Sequence, residues 1–227
     1  MTLRSPNSLL FTTLLIAVGI STAHASLIYL YDFTGGSGLA GDQANSQPSG
    51  ATFSDFTRNN VGAAPSPGDT FGSNNWSQSA SLDPTVNEGF SIAADVGVHL
   101  NLSNLTFQLY RSATGPTDME VALFLNGSST PYATYGFTTS TAMTAYAFNF
   151  TALTDADNVT FATIKFFGWN AGGLGGQLYL DNVATYGDVV PAPEIPALWP
   201  VLLLVTCILV TRERGRFVKL LAATPRH

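Results

Sequence analysis

The sequence predicts an all-β fold, an antiparallel β-sandwich of the jelly-roll type. Between residues 26 and 187, eight or nine short segments alternate apolar with polar side chains and are rich in Phe, Tyr, Thr and Val, a pattern typical of half-buried strands. Clusters of Gly, Pro, Asn and Ser separate these segments and indicate turns. No long amphipathic helix pattern occurs among them. Together these features favour two packed antiparallel sheets, with a closed barrel as the alternative.

The first 25 residues are typical of an export signal. Arg4 precedes an apolar run over residues 9–20, and Ala23 and Ala25 are small residues at the two positions that signal peptidase reads. We expect cleavage after Ala25, which leaves Ser26 as the mature N-terminus. An uncleaved membrane anchor is the alternative.

The predicted strands begin directly after this signal. Residues 34–83 are rich in Gly, Pro, Asn and Ser and hold one short strand, whereas the strands from Glu88 onward are regular. Asn126 and Gly127 both tolerate positive φ and predict a hairpin turn. The predicted strand segments are SLIYLYDF (26–33), ATFSDF (51–56), EGFSIAA (88–94), LTFQLYR (105–111), MEVALFLNG (119–127), YATYGF (132–137), TAYAFNF (144–150), VTFATIKFF (159–167) and QLYLDNVATYG (177–187).

The region between the two termini is acidic. Residues 26–190 contain three basic residues, Arg58, Arg111 and Lys165, and thirteen acidic ones, a net charge of −10. Such a charge repels a phosphate backbone, so the composition argues against nucleic acid as a partner. It is compatible with divalent cations and with neutral glycans.

Residues able to support catalysis are scarce. His99 is the only histidine between residues 26 and 190, and the single cysteine, Cys207, lies in the C-terminal apolar run. We therefore expect no enzymatic activity. The remaining alternative is a secreted glycoside hydrolase that uses Asp118 and Glu120, because residues two apart share one face of a strand and two carboxyl groups suffice for that reaction.

The C-terminus combines three short segments in a fixed order. Pro193 and Glu194 lie in a proline-rich linker, residues 188–196, and an apolar run covers residues 195–210. As a helix, this run is about 24 Å long, somewhat less than a hydrocarbon core of about 30 Å. We predict a transmembrane helix at residues 197–211 and a cytoplasmic tail at 212–227, since basic residues at the end of a span remain inside. These basic residues are Arg212, Arg214, Arg216 and Lys219.

This arrangement resembles the PEP-CTERM sorting signal of bacteria that make extracellular polysaccharide. The resemblance implies recognition of Pro193 and Glu194 by an exosortase, a membrane transpeptidase, with the arginines as the basic stop. It also implies export through the inner membrane, anchoring there, and transfer to the cell surface or the extracellular matrix after processing. The expected function is that of a structural or adhesion protein. An ordinary single-pass anchor with a proline-containing stalk is the alternative for the tail.

The central region also resembles a family. GFSIAADVG, LTFQLYRSATGPTDMEVALFL and FFGWNAGGLGGQLYLDNVATYG are similar to β-sandwich ectodomains found ahead of such tails, and YLDNV resembles the last strand of carbohydrate-binding jelly rolls. This resemblance implies a calcium ion shared by Asp32 and Asp181, although both residues could equally make local hydrogen bonds. It raises the alternative function of binding exopolysaccharide. Trp76, Tyr110 and Trp169 are the candidate aromatic platforms, with burial in the core as the alternative for each tryptophan.

Overall fold

The computed structural model describes residues 26–34, 49–153 and 156–192. These residues form twelve strands in two six-stranded antiparallel sheets. Sheet A contains β1 (Ser26–Tyr31), β4 (Gly62–Ala63), β5 (Phe71–Asn74), β7 (Val98–Arg111), β10 (Thr144–Asn149) and β12 (Leu178–Pro191). Sheet B contains β2 (Ala51–Phe53), β3 (Thr57–Asn59), β6 (Asn87–Ala94), β8 (Pro116–Leu125), β9 (Ala133–Thr138) and β11 (Phe161–Ala171).

The two sheets have regular strand orders. Sheet A runs β10-β7-β12-β5-β4, and β1 also pairs with β12. Sheet B runs β2-β6-β11-β8-β9, and β3 also pairs with β6. From β6 onward the chain crosses between the sheets at every connection except the β8–β9 hairpin, which gives the fold its jelly-roll-like character.

Aromatic side chains from both sheets fill the space between them. The ring centroid of Phe107 on β7 lies 5.1 Å from that of Phe166 on β11. The ring centroid of Tyr31 on β1 lies 4.8 Å from that of Phe90 on β6. These side chains alternate along their strands with half-buried polar ones, as the period of a strand requires. The prediction of an antiparallel sandwich is confirmed, and the alternative of a single closed barrel is wrong for the described residues.

One polar cluster interrupts this apolar core. Glu88 is fully buried, and its Oε2 accepts a hydrogen bond from the hydroxyl of Ser73. Arg58 donates from Nε to Ser73 Oγ at 3.0 Å and from Nη2 to the Gly72 carbonyl at 2.6 Å, and its guanidinium covers the ring of Phe71. Glu88 Oε1 is buried without a hydrogen-bond partner among the described residues. Burial raises the pKa of Glu88 to about 8, against the opposing effects of the Ser73 hydrogen bond and the Arg58 charge.

The predicted strands are present, and three further short ones appear. These are β3, β4 and β5, of two to four residues, within the Gly, Pro, Asn and Ser-rich region. Too short to show a periodic pattern, they exist because neighbouring strands supply their hydrogen bonds. Residues 172–177, which include most of the glycine-rich run AGGLGG, connect β11 in sheet B to β12 in sheet A and form a crossover between the sheets.

The turn predicted after β8 is confirmed. Asn126 and Gly127 have φ angles of 51° and 77°, and the N–H of Ser128 donates to the Leu125 carbonyl at 3.0 Å. The whole connection to β9 covers residues 126–132, so it is longer than a two-residue hairpin loop. The side chain of Asn126 accepts a hydrogen bond from the N–H of Thr160, which ties this turn to the start of β11.

Several predictions concern residues outside the described ranges. The signal peptide at 1–25, the sorting residues from Pro193 onward and the transmembrane segment all lie there. Within the described ranges, no helix is long and apolar enough to cross a membrane. The last strand continues to Pro191, which pairs with Val98, so the domain boundary predicted at residue 187 falls inside β12.

Candidate ligand-binding face

An open groove crosses the outer face of sheet A. Its volume is about 520 Å³, within the usual range for sites that bind small ligands. The groove extends over β10, β7, β12 and β1. Its depth comes from three alanines, Ala145 and Ala147 on β10 and Ala184 on β12, whose short side chains leave space above the sheet.

The central strand contributes polar groups to this groove. Thr106 and Gln108 point to the outer face of β7 because they alternate with the buried Leu105, Phe107 and Leu109. Gln108 lies between Ala145 of β10 and Asp181 of β12 in the register of the sheet. No described residue forms a hydrogen bond with the Gln108 side chain. Its amide is therefore able both to donate to and to accept from a ligand.

A bulge in β12 shapes one side of the groove. The register shifts between Asp181 and Ala184, and Asn182 adopts a positive φ of 49°. The Asp181 carboxylate accepts the N–H of Asn182 at 2.7 Å and the side-chain amide of Asn182 at 3.0 Å. Bulges of this kind redirect side chains, and here Asn182 lines the groove.

Apolar and aromatic side chains flank the alanines. Tyr186 on β12 and Leu30 on β1 lie on the side of the groove away from β10. Both are half-buried, so part of the Tyr186 ring is accessible from the groove. An aromatic ring beside polar donors and acceptors is an arrangement suited to a ligand with apolar faces and hydroxyl groups.

The predicted aromatic residue Tyr110 lies on the same outer face. It follows Gln108 by two positions along β7 and stacks on Tyr179 of β12, with ring centroids 4.6 Å apart. The Tyr179 hydroxyl donates to Gln177. Burial raises the pKa of Tyr110, so its hydroxyl is a neutral donor at physiological pH. From Tyr110 to Asn104 this face extends about 20 Å along β7.

Trp76, predicted as an aromatic platform, is instead part of the core. It is fully buried, and its Nε1 donates to the Ser73 carbonyl at 3.2 Å. The ring packs over Gly168 of β11, where a Cβ would lie 2.8 Å from Trp76 Cε3 and 2.8 Å from Met119 Sδ. Trp76 therefore presents no surface to a ligand, and its prediction as a binding residue is wrong.

Trp169 lies on the other side of the sandwich from Tyr110. It is half-buried and lies on the outer face of β11, in register with Asp118 of β8. The candidate acids Asp118 and Glu120 share this face, as predicted from their spacing. The Asp118 carboxylate accepts hydrogen bonds from Thr117 and Asn170, and burial raises the pKa of Glu120. The groove on sheet A and these acids are thus on opposite faces.

The residues predicted for calcium come close enough to interact. Burial raises the pKa of Asp181, and the nearby charges of Asp69 and Asp32 add to this effect, while the Asn182 hydrogen bond opposes it. Asp32 itself accepts hydrogen bonds from the N–H and hydroxyl of Thr34. Both acids make the local bonds that were the alternative to calcium. Among the described residues, no group of three or more His, Cys, Asp or Glu is arranged to hold a metal ion.

Comparisons with known proteins give no family. No family profile and no curated protein matches the sequence. Solved carbohydrate-binding modules are similar in structure, at low identity. A CBM4 structure has a TM-score of 0.40 at 16% identity, covering 63% of this chain and 78% of that one. The family 11 module from Clostridium thermocellum, in complex with a β-1,3-1,4-mixed-linked tetrasaccharide, has a TM-score of 0.40 at 14% identity, with coverages of 72% and 96%.

A third similar structure is CBM29_1, a family 29 module from Piromyces equi. Its TM-score is 0.38 at 11% identity, and the match covers 78% of this chain and 97% of that one. Similarities at this level assign neither a ligand nor an activity to the present chain. The site is therefore defined by its own geometry.

The sequence pattern missed the groove residues Gln108, Asn182 and Tyr186. Gln108 and Tyr186 occupy alternate positions of strands that were predicted, so the outward-facing set of each strand was available as a signal. The bulge at Asn182 was not, because it depends on pairing with both neighbouring strands. Which outward-facing residues share a groove follows only from the strand order.

Proposed function

We propose that this protein binds neutral polysaccharide, without catalysis, through the groove on the outer face of sheet A. The observation that carries this proposal is the combination of an alanine floor, the flanking ring of Tyr186 and the Gln108 amide, which has no hydrogen-bond partner among the described residues. Sugar rings have apolar faces that stack on aromatic rings and hydroxyl groups that pair with amides. The groove offers an aromatic ring and an amide within one sheet.

The charge of the protein favours a neutral ligand. Residues 26–190 have a net charge of −10, and Asp181 lies next to Gln108 in the register of sheet A. A polyuronate would be repelled by this surface, because like charges disfavour association at moderate ionic strength. An uncharged exopolysaccharide suits the site better.

Export and sorting complete the proposed function. We propose that signal peptidase releases the N-terminal segment and that the C-terminal segment anchors the protein in the inner membrane until an exosortase acts near Pro193 and Glu194. The sandwich would then bind polysaccharide at the cell surface or in the matrix, which unites the structural role with the glycan-binding one. The order of Pro-Glu, apolar run and arginines supports this proposal.

Substitution of Tyr186 tests the groove. We expect Tyr186→Ala to weaken binding to a neutral β-1,3-1,4-glucan, or to exopolysaccharide from the host, at least about tenfold, which corresponds to about 1.4 kcal/mol. Tyr186→Phe keeps the ring and should retain most of the binding. Gln108→Ala should weaken binding as well. Affinity electrophoresis in gels that contain each polysaccharide measures these changes.

The matched control is Trp169→Ala on the opposite face of the sandwich. It should leave the affinity unchanged. Loss of binding in Trp169→Ala with full retention in Tyr186→Ala would move the site to sheet B and refute the groove. A polyuronate in the same gels should not retard the wild-type protein.

The intact mass of the mature protein tests the proposed sorting. We expect the protein from its native host to lack residues 1–25 and the residues after about position 194, because peptidases act at both ends. Substitution of Pro193 and Glu194 by alanine should preserve the C-terminus. If the C-terminus is intact in both proteins, the tail is an ordinary single-pass anchor.

A further inference from the structure

The two sheets each end in a strand with no neighbour among the described residues. β10 is the last strand of sheet A and β9 the last strand of sheet B. The two lie on the same side of the sandwich, since the rings of Phe137 on β9 and Tyr146 on β10 are 4.4 Å apart. That side therefore presents two adjacent strand edges.

The hydrogen-bond pattern shows which groups of β10 point outward. The N–H of Phe150 donates to the Ser103 carbonyl at 2.8 Å, one position beyond the pair of Asn149 with Asn104. In an antiparallel ladder, residues that bond to the neighbour alternate with residues whose backbone groups point away. The backbone groups of Ala145, Ala147 and Asn149 consequently point away from β7, and all three residues are exposed.

Neither edge has the features that usually prevent strand pairing. Edge strands are normally protected by charged side chains, prolines or bulges. β9 (ATYGFT) and β10 (TAYAFN) contain no charged residue and no proline. Each pairs with its neighbour without a register shift. Residues 26–190 carry a net charge of −10. Two uncharged strand edges side by side therefore differ in charge from the rest of this region.

We propose that a second copy of this chain pairs with β10 in antiparallel orientation. A two-fold axis through Ala147 brings all three outward-facing residues of each strand into the pairing, with Ala147 opposite the same residue of the second copy and Ala145 opposite Asn149. Each cross-strand pair is uncharged, so the self-pairing of an otherwise anionic protein meets no like-charge repulsion within the new ladder. β9 lies beside this ladder, because it is adjacent to β10 in each copy.

This dimer extends sheet A across the interface. Such an interface is self-complementary, as two-fold symmetry requires. It is independent of whether the groove binds glycan. If the groove does, its residues Ala145 and Ala147 border the axis, so the grooves of the two copies would lie side by side on one continuous sheet.

Cysteine cross-linking of the full-length chain tests this proposal in the host envelope. In a Cys207→Ser background, Ala147→Cys places two thiols in a directly opposed, hydrogen-bonded pair with Cα atoms about 5.5 Å apart, within disulfide range. The matched control is Ala145→Cys, on the same strand and the same face. Its two copies would be about 13 Å apart along the strands and cannot be bridged. We expect Ala147→Cys to cross-link at least about tenfold more rapidly, because only this pair has disulfide geometry.

A second substitution tests the backbone pairing itself. Ala145→Pro, added to Ala147→Cys, removes an N–H that points away from β7, which an edge strand tolerates. It should suppress cross-linking, whereas Ala145→Ser should not, at unchanged melting temperature. Equal cross-linking of the two cysteine variants, or cross-linking that persists with Ala145→Pro, would overturn the proposal. Both outcomes are read from disulfide formation and not from polysaccharide binding, so they are separate from the test of the groove.

Discussion

Replacing Glu88 by glutamine is expected to remove most of the pH dependence of stability between pH 4.5 and 8. Glu88 is fully buried between the sheets, and its pKa in the folded protein is raised from 4.5 to about 8. In the unfolded chain the carboxyl group loses its proton near its ordinary pKa. The folded state therefore binds more protons than the unfolded state in this window, with a difference that approaches one proton in its middle.

The sign of the effect follows from proton linkage. Where the folded state binds more protons, the free energy of unfolding falls as pH rises. For one group the slope is about 1.4 kcal/mol per pH unit. Wild-type stability should be highest near the lower limit of the window and should decrease until the pH passes about 8, the pKa of Glu88 in the folded protein.

Glutamine has nearly the shape of the protonated acid and cannot ionise. Glu88→Gln should consequently match the wild type near pH 5 and exceed it in stability at pH 8. Urea unfolding at a series of pH values measures both curves. Glu120→Gln is the control. Burial also raises the pKa of Glu120, but Glu120 is only half-buried, on the outer face of sheet B, so this variant should retain most of the wild-type slope. Parallel curves for the wild type and Glu88→Gln would mean that Glu88 is ionised in the folded protein, paired with Arg58.

Trp76→Ala is expected to cause the largest loss of stability among the tryptophan substitutions. The side chain is fully buried, contacts Gly168 of β11, and donates to the Ser73 carbonyl. Removal of a buried aromatic ring costs about 3–5 kcal/mol, from lost apolar burial and from the cavity left behind. A carbonyl left without its donor adds to this loss.

Trp169→Ala is the matched comparison on the surface. Because Trp169 is half-buried on the outer face of sheet B, we expect a loss of about 1 kcal/mol or less. Denaturant unfolding of both variants measures the difference. Similar losses in the two proteins would contradict the assignment of Trp76 to the core and reopen its prediction as a binding residue.

The contrast between these two tryptophans shows how far the sequence can predict a site. Both lie near glycines and asparagines, and nothing in their neighbourhoods distinguishes a buried ring from an exposed one. The distinction comes from β11, where Gly168 faces inward and leaves room for Trp76, while Trp169 faces outward. Alternation along β11 was predictable, but the contact of Gly168 with a residue about ninety positions earlier was not.

The groove shows the same contrast between what local alternation predicts and what only the strand order sets. Alternation along β7 predicts that Gln108 and Tyr110 share a face, and the position of Tyr110 on the outer surface agrees with that pattern. Ala145 and Tyr186 join Gln108 only because β10 and β12 are the two neighbours of β7 in sheet A. The order of strands within a sheet depends on long-range pairing, which local sequence patterns do not encode.

Local sequence patterns were enough to predict the all-β class, most strand positions, the turn at Asn126 and Gly127, and the acidic charge, because these depend on side-chain period, local backbone preference and composition. The folded structure was needed to reveal the three short strands, the burial of Trp76 and Glu88, the bulge at Asn182 and the set of residues that share the groove. Each of these depends on contacts between segments far apart in the chain, and such contacts form only when both sheets are assembled.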